Sequence, residues 1–512
     1  MKTGLQINQK LKMTLRKDNS LIIYLSGFFI CAIGAFFLLN RPVVFAFFLA
    51  AIFLFYFFLS ANTNLIFILL LSGIFFVPWE NPGEYGWGAP SARLFGVSLT
   101  PPVLLIFFFG FLMALINLRN KSKKIFDIPL FKAFFGFFLV GLVSSVSGLN
   151  PGNSTYILIF RYLTPAFGLL FISYLACKDR KSFFFLTVGI ISVGTITALY
   201  GIFEYLIGSN PINTFCAWHF QTHLHPAIYT EKIGTLYQST STFGNPEFAA
   251  TFFISSVLLS IGYLQFLKTF KKKFFLFLVL FINLLGIVFT FSRGEILGLL
   301  LSIIIFIILL KGPSKILLVR AIAILLVIVV LFLLVFAKDI SGKRLNIYSE
   351  RQSTSFTHRA GSYKLMWSFL ESNYFLGIGL GNYEKKYAMM STSIFSATPT
   401  MDNMYLTILT ETGIIGFAIF LTMMIWLFKI LGGTLRKLKS FDIAPIFLSI
   451  FCALIGMAIS FLFYEGFRHL VPAVIFWALS GIGLSVARNL ESFQRKLPLV
   501  PARNVHSLSS VK

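Results

Sequence analysis

Apolar residues come in long blocks along this chain. Runs of about 18 or more with few charges recur from Ser20 onward, and ~20 residues suffice for a helix to cross a bilayer. The pattern predicts about twelve to fourteen transmembrane helices. They fall near 21–39, 43–60, 63–78, 101–118, 128–149, 156–177, 182–208, 248–267, 274–291, 294–310, 316–336, 404–428, 443–462 and 471–487. The expected fold class is an all-α polytopic membrane protein with a large extracytoplasmic loop containing amphipathic helices. Its expected parts are an N-terminal segment 1–20, a bundle 21–336 with an outer loop 209–247, a large loop 337–403, closing helices 404–487, and a tail 488–512.

Polar residues interrupt this pattern in two informative places. The stretch "PTMDNMYLTILTETGIIGF" (399–417) opens an apolar block with Asp402, Asn403, Thr407, Thr410 and Glu411. The last four fall at i, i+4, i+7 and i+8, so they make one stripe that should face the bundle interior. In the large loop, "THRAGSYKLMWSFLES" (357–372) places Tyr363, Met366, Trp367 and Leu370 on one helical face. Arg359 lies one turn earlier on the same row. Such a helix should lie on the membrane or on top of the bundle. Next comes "LGIGLGNYEKKY", whose Gly377, Gly379 and Gly381 alternate. That spacing permits close backbone approach or a turn. As a phosphate signature it is weak, because no strand precedes it.

Composition agrees with a membrane setting. The chain is 57% hydrophobic, only 12% charged, and contains 64 Phe, whereas soluble domains carry about 25% charged residues. The net charge of +25 is mainly a topology signal. Most Lys and Arg fall in alternate connections such as "RNKSKK", "KDRK" and "KTFKKK", which places both termini in the cytoplasm. Basic residues scattered among turns form no nucleic-acid groove. Cys31, Cys177, Cys216 and Cys452 have no paired spacing, and His219, His223 and His225 lack acidic or thiolate partners at fixed spacing. Neither a disulfide framework nor a metal site follows.

Among the glutamates, only Glu491 falls on the inner side. Acidic residues do little to set topology, so this bias points to a working face outside the cytoplasm. Arg161, Arg293 and Arg468 fall at that same side, with Glu204 and Glu411 near outer helix ends. Charges at membrane depth cost at least ~2.5–3.5 kcal/mol and mark function or buried pairs. Arginine suits bidentate phosphate recognition, so this cluster fits a lipid-linked phosphate or pyrophosphate.

The ordered series "STSTFGNPEFAA", "FTFSRGEILGLL", "HRAGSYKLMW", "LGIGLGNY" and "DNMYLTILTETGIIG" resembles the bacterial O-antigen ligase and O-antigen polymerase family over residues 239–425. The resemblance implies a membrane glycosyltransferase of GT-C-like fold in the inner membrane, working at the periplasmic face without metal or cofactor. Its donor would be a glycan on undecaprenyl pyrophosphate. The acceptor would be lipid A–core in a ligase, or a second lipid-linked glycan in a polymerase. Arg293 and Arg359 match the family's functional arginines, and Asp402 stands where the family usually carries histidine. Asp402, Arg293 and Arg359 are therefore the expected catalytic residues, and Arg161, Gln238, Asn245, Asn403, Glu411 and Arg468 the expected substrate-binding residues. Gln238 occupies a position where relatives often carry a basic residue. A lipid-linked oligosaccharide flippase is the competing reading from another class. It would need charges along a path through both leaflets and a repeated half, and neither is visible.

Overall fold

The computed structural model describes residues 92–94, 97–99, 129–211, 238–310, 359–390, 401–438 and 441–494. The expected spans at 21–39, 43–60, 63–78, 101–118 and 316–336, Cys31, Cys216 and the three loop histidines lie outside the described residues. Among the described residues, everything regular apart from a short hairpin of β1 (Ala92–Leu94) and β2 (Val97–Leu99) is helical.

The nine expected spans that fall within the described residues all form helices. They are α1 (Pro129–Ser147), the broken helix α2 (Pro151–Tyr156), π-helix Ile157–Leu169 and α3 (Leu170–Ala176), then α4 (Arg180–Ile207), α5 (Pro246–Phe266), α6 (Phe270–Phe289) and α7 (Arg293–Leu309). A loop helix α8 (359–372) and α9 (Tyr383–Met390) follow. The chain closes with α10 (Met404–Leu438), α11 (Ala444–Ser460), α12 (Leu470–Arg488) and α13 (Leu490–Gln494). Five of these helices, α4, α5, α6, α10 and α12, are long and apolar enough to cross a membrane. The protein is an all-α polytopic membrane protein.

Burial sorts the helices. α5 and α12 are apolar all round and 89% and 94% buried over their most hydrophobic windows, as expected of helices in a bundle centre. α5 packs against α4, α6 and α11, and α7 packs against α11. There a Cβ on Gly298 would stand 2.5 Å from the Gly456 carbonyl, so the glycine is what lets the two backbones touch. α1, α4, α6 and α7 turn Phe135, Ile196, Phe203, Phe274, Phe275 and Ile308 outward, all exposed. An apolar outer surface of this extent suits lipid.

α10 runs ten residues beyond the expected end at 428. "KILGGTLRKL" looks like a basic cytoplasmic turn, but Lys, Arg and Leu are good helix formers. Cations in the last turn also complement the helix dipole. The loop helix α8 differs from expectation by a small rotation. Leu365, Met366, Phe369 and Leu370 are buried, whereas Trp367 is 57% exposed. The reason is tertiary: Ile378, Tyr383 and Met401 fold back over α8 and form a second small core with Leu365 and Phe369.

Candidate functional site

One end of the bundle gathers most of the expected residues, and it is held together by three local devices. The first is a carboxylate clamp. Glu204, near the end of α4, is fully buried and accepts hydrogen bonds from Asn210, Ser239, the Thr240 hydroxyl and amide, and the Ser241 amide. A carboxylate so fully satisfied has a structural task. It fixes the turn 238–244, which in turn ties to α6: Ser239 N–H donates to Phe289 O at 3.0 Å and the Gln238 amide to Thr290 O at 2.6 Å. Asn245 then caps α5 by accepting from the Glu247 N–H at 2.8 Å, the role its side chain is suited to. Gln238 and Asn245 thus set where α5 and α7 begin.

The second device is an interrupted helix. Gly413 breaks α10 with φ 68°, ψ −173°. A break in a membrane helix leaves carbonyls before it and amides after it without partners. The glycine loop supplies them. Ile378 N–H donates to Thr410 O at 3.1 Å and Gly379 N–H to Glu411 O at 2.9 Å. On the other side, Ile414 N–H donates to Tyr374 O at 3.0 Å and Ile415 N–H to Phe375 O at 3.4 Å. Gly377 (φ 70°) and Gly413 pass so close that a Cβ on either would lie within 2.4 Å of the other segment's backbone. The alternating glycines are therefore a plug for the helix break. The amides of Ile378 and Gly379 are already engaged, which removes them as a phosphate cradle. The buried Glu411 carboxylate accepts from Tyr383 N–H at 3.4 Å and from Gly381 N–H, locking the loop to the first half of α10. Asn403, Thr407, Thr410 and Glu411 are all buried, so the polar stripe does face inward.

The third device is the link 461–469 between α11 and α12. Glu465 and Arg468, both buried, pair at 2.9 Å. Glu465 also accepts from the Thr407 hydroxyl at 2.7 Å and from Met401 N–H at 3.4 Å. Arg161, on the wide-turned π-helix, donates to Arg468 O at 3.2 Å. Burial pushes the Glu465 carboxyl up, but Arg468, the Thr407 hydroxyl and His469 outweigh it and hold it below its ordinary range. A depressed pKa means that the pair's contribution is complete above the ordinary carboxylate range and is lost as pH falls through the lowered value. Glu465→Gln should therefore cost about 3–5 kcal/mol at neutral pH, the scale for breaking a buried pair. Thermal unfolding in detergent across pH checks this. The gap to wild type should close only at pH below the ordinary carboxylate range; a gap independent of pH would refute the assignment.

These devices frame Arg359 and Asp402. Arg359, at the start of α8, faces Asp402 with Nε 3.7 Å from Oδ2, and both side chains are about one-third exposed, 35% and 37%. Arg359 also reaches Phe463 O at 3.5 Å, so it touches the same link that carries Glu465 and Arg468. Asp402 sits in the left-handed region (φ 48°), which Asp tolerates better than most residues. It directly precedes Asn403, whose side chain caps α10 by accepting from Tyr405 and Leu406 N–H at 3.1 Å. The adjacent helix N-terminus favours a negative charge there. Arg293 is the first residue of α7 and is exposed.

Sequence reasoning missed two members of this constellation. Glu247, in the first turn of α5, interacts electrostatically with Asp402 and Arg359. Glu295, in the first turn of α7 and 2% exposed, interacts with Glu247 and Arg359. Its Oε1 is buried without a hydrogen-bond partner. Both glutamates follow helix-start signals, "NPE" and "SRGE", and that position is the signal that could have found them.

Fold and site together define a polytopic membrane protein with a partly exposed arginine–carboxylate cluster at one bundle end. Residues 276–421 match the family model described as O-antigen ligase. The match supports assigning the chain to the O-antigen ligase and polymerase family, and ligase- or polymerase-type activity in general. It spans Arg293, Arg359, Asp402, Asn403, Glu411 and the Gly413 break. No curated protein matches the chain.

Proposed function

We propose that this end of the bundle transfers a glycan from undecaprenyl pyrophosphate to an acceptor hydroxyl at the periplasmic face of the inner membrane. The acceptor in this reading is lipid A–core, as in a ligase. The observation that carries it is the Arg359–Asp402 pair, which interacts with Glu247 and Glu295 in the first turns of α5 and α7.

The chemistry follows from these groups. The acceptor oxygen attacks the anomeric carbon of the donor, and the carbon–oxygen bond to pyrophosphate breaks with its electron pair leaving on the phosphate. Arg359 and Arg293 stabilise the charge that develops there, helped by the positive end of α7. The acceptor's proton goes to Asp402 as general base. In the structure Arg359 faces Asp402, Nε to Oδ2 at 3.7 Å. When the donor's phosphates draw Arg359 toward them, Asp402 is left as a carboxylate ready to accept a proton. Arg161 and Arg468, engaged with the 461–469 link, hold that link in place and support Arg359 through Phe463.

The same chemistry would serve a polymerase whose acceptor is a second lipid-linked glycan. Chemical analysis of a strain lacking the gene separates the two. A ligase leaves lipid A–core bare while polymer accumulates on its lipid carrier. A single repeat unit on the core indicates a polymerase, and unchanged surface glycan contradicts both.

A further inference from the structure

We propose that the corner formed by Trp367, Tyr374 and Phe375 is embedded in the bilayer leaflet on the site side, at the boundary between headgroups and acyl chains. All three aromatics face outward, at 57%, 50% and 66% exposure, while the opposite face of α8 is buried. Their backbone shows what lies beside them. Tyr374 O and Phe375 O accept from the amides of Ile414 and Ile415, the first residues of α10 after its break. Ile415 is itself exposed, and the outward row of α10 continues through the exposed Ile425. The aromatic corner is thus continuous with the face of α10 that fits lipid.

Helix length sets the depth. After its break α10 runs from Ile414 to Leu438, about 37 Å at 1.5 Å per residue, against ~30 Å of hydrocarbon. Its far end is fixed by Lys429, Arg436 and Lys437, which belong near the opposite boundary. About twenty residues after Gly413 fill the hydrocarbon, so the break falls near the boundary on the site side. Trp and Tyr prefer that boundary, where an apolar ring meets water at one edge. The exposed Lys364 and Lys385 on the same loop suit the headgroup layer. The glycine plug therefore rests on the leaflet, and a substrate whose tail stays in the bilayer meets Arg359 and Asp402 from the side.

Tryptophan fluorescence of the full chain in phosphatidylcholine vesicles tests the seat. The Trp367 signal is taken as wild type minus Trp367→Phe. Lipids brominated near the top of the acyl chains should quench that signal roughly twofold or more, as for an interfacial ring, with little quenching by aqueous iodide. Phe375→Trp should add a second component that brominated lipid also quenches. Quenching by iodide alone would mean a water-facing corner. Quenching by neither agent would mean that protein covers it. Either result overturns the proposal.

Discussion

Asp402→Asn is expected to lower glycan transfer about 10²–10⁴-fold, the range a positioned general base supplies. The substitution keeps size and the αL tolerance that φ 48° requires, so protein level and thermal stability should stay near wild type. It removes both the proton acceptor and the partner of Arg359. Apparent KM for the donor should change little or fall, because Arg359 is released from its carboxylate toward phosphate. A loss confined to kcat is the signature of a group that acts on the acceptor's proton. Turnover by purified protein with a polyisoprenyl-pyrophosphate glycan checks this. If Asp402→Asn turns over normally, the base lies elsewhere, with Glu247 and Glu295, which interact with this pair, the next candidates.

Gly413→Ala should be the most damaging substitution outside the charged residues. Its φ of 68° disfavours any side chain, and its Cβ would stand 2.3 Å from Phe375 O. Relief requires the loop 374–379 to withdraw. That strands the amides of Ile414 and Ile415 and the carbonyl of Thr410, while Glu411 O keeps only the Ser144 hydroxyl, each unsatisfied group costing about 1–3 kcal/mol when buried. Gly377→Ala meets Glu411 backbone at 2.4 Å and should fail the same way. Both variants should lose several kcal/mol of stability on that scale and lose transfer through displacement of Glu411 and α8. Unfolding midpoints in detergent and retained protein in membranes measure the effect. Wild-type stability in both variants would show that the plug is not required.

The helices were readable from hydrophobic blocks because a bilayer leaves little other choice for such runs. The inward stripe on α10 was also readable, since polar groups at 3.6-residue spacing cannot face lipid. The break at Gly413 was not. "TETGIIGF" keeps helical periodicity on both sides, and only the partner loop shows that the helix stops and restarts. For the same reason the alternating glycines suggested phosphate binding as readily as a close backbone crossing. Trp367 was placed inward because Leu365 and Phe369 could find their partners only after Ile378, Tyr383 and Met401 folded over them. Arg359 and Asp402 were marked from sequence by family resemblance, and the structure adds that they face each other. Glu204 and Arg468 looked like functional charges, but the structure engages Glu204 in clamping the turn 238–244 and Arg468 in pairing with Glu465. Glu247 and Glu295 were hidden because acidic residues in a first helical turn are usually there for the dipole.

The most direct test of the account is a double-mutant cycle on transfer with Arg359→Ala, Asp402→Asn and the double variant, at matched amounts of folded protein. Strong non-additivity is expected, with the double variant close to the worse single variant, because the pair serves one transition state. Losses that multiply, or transfer that survives both changes, would contradict it.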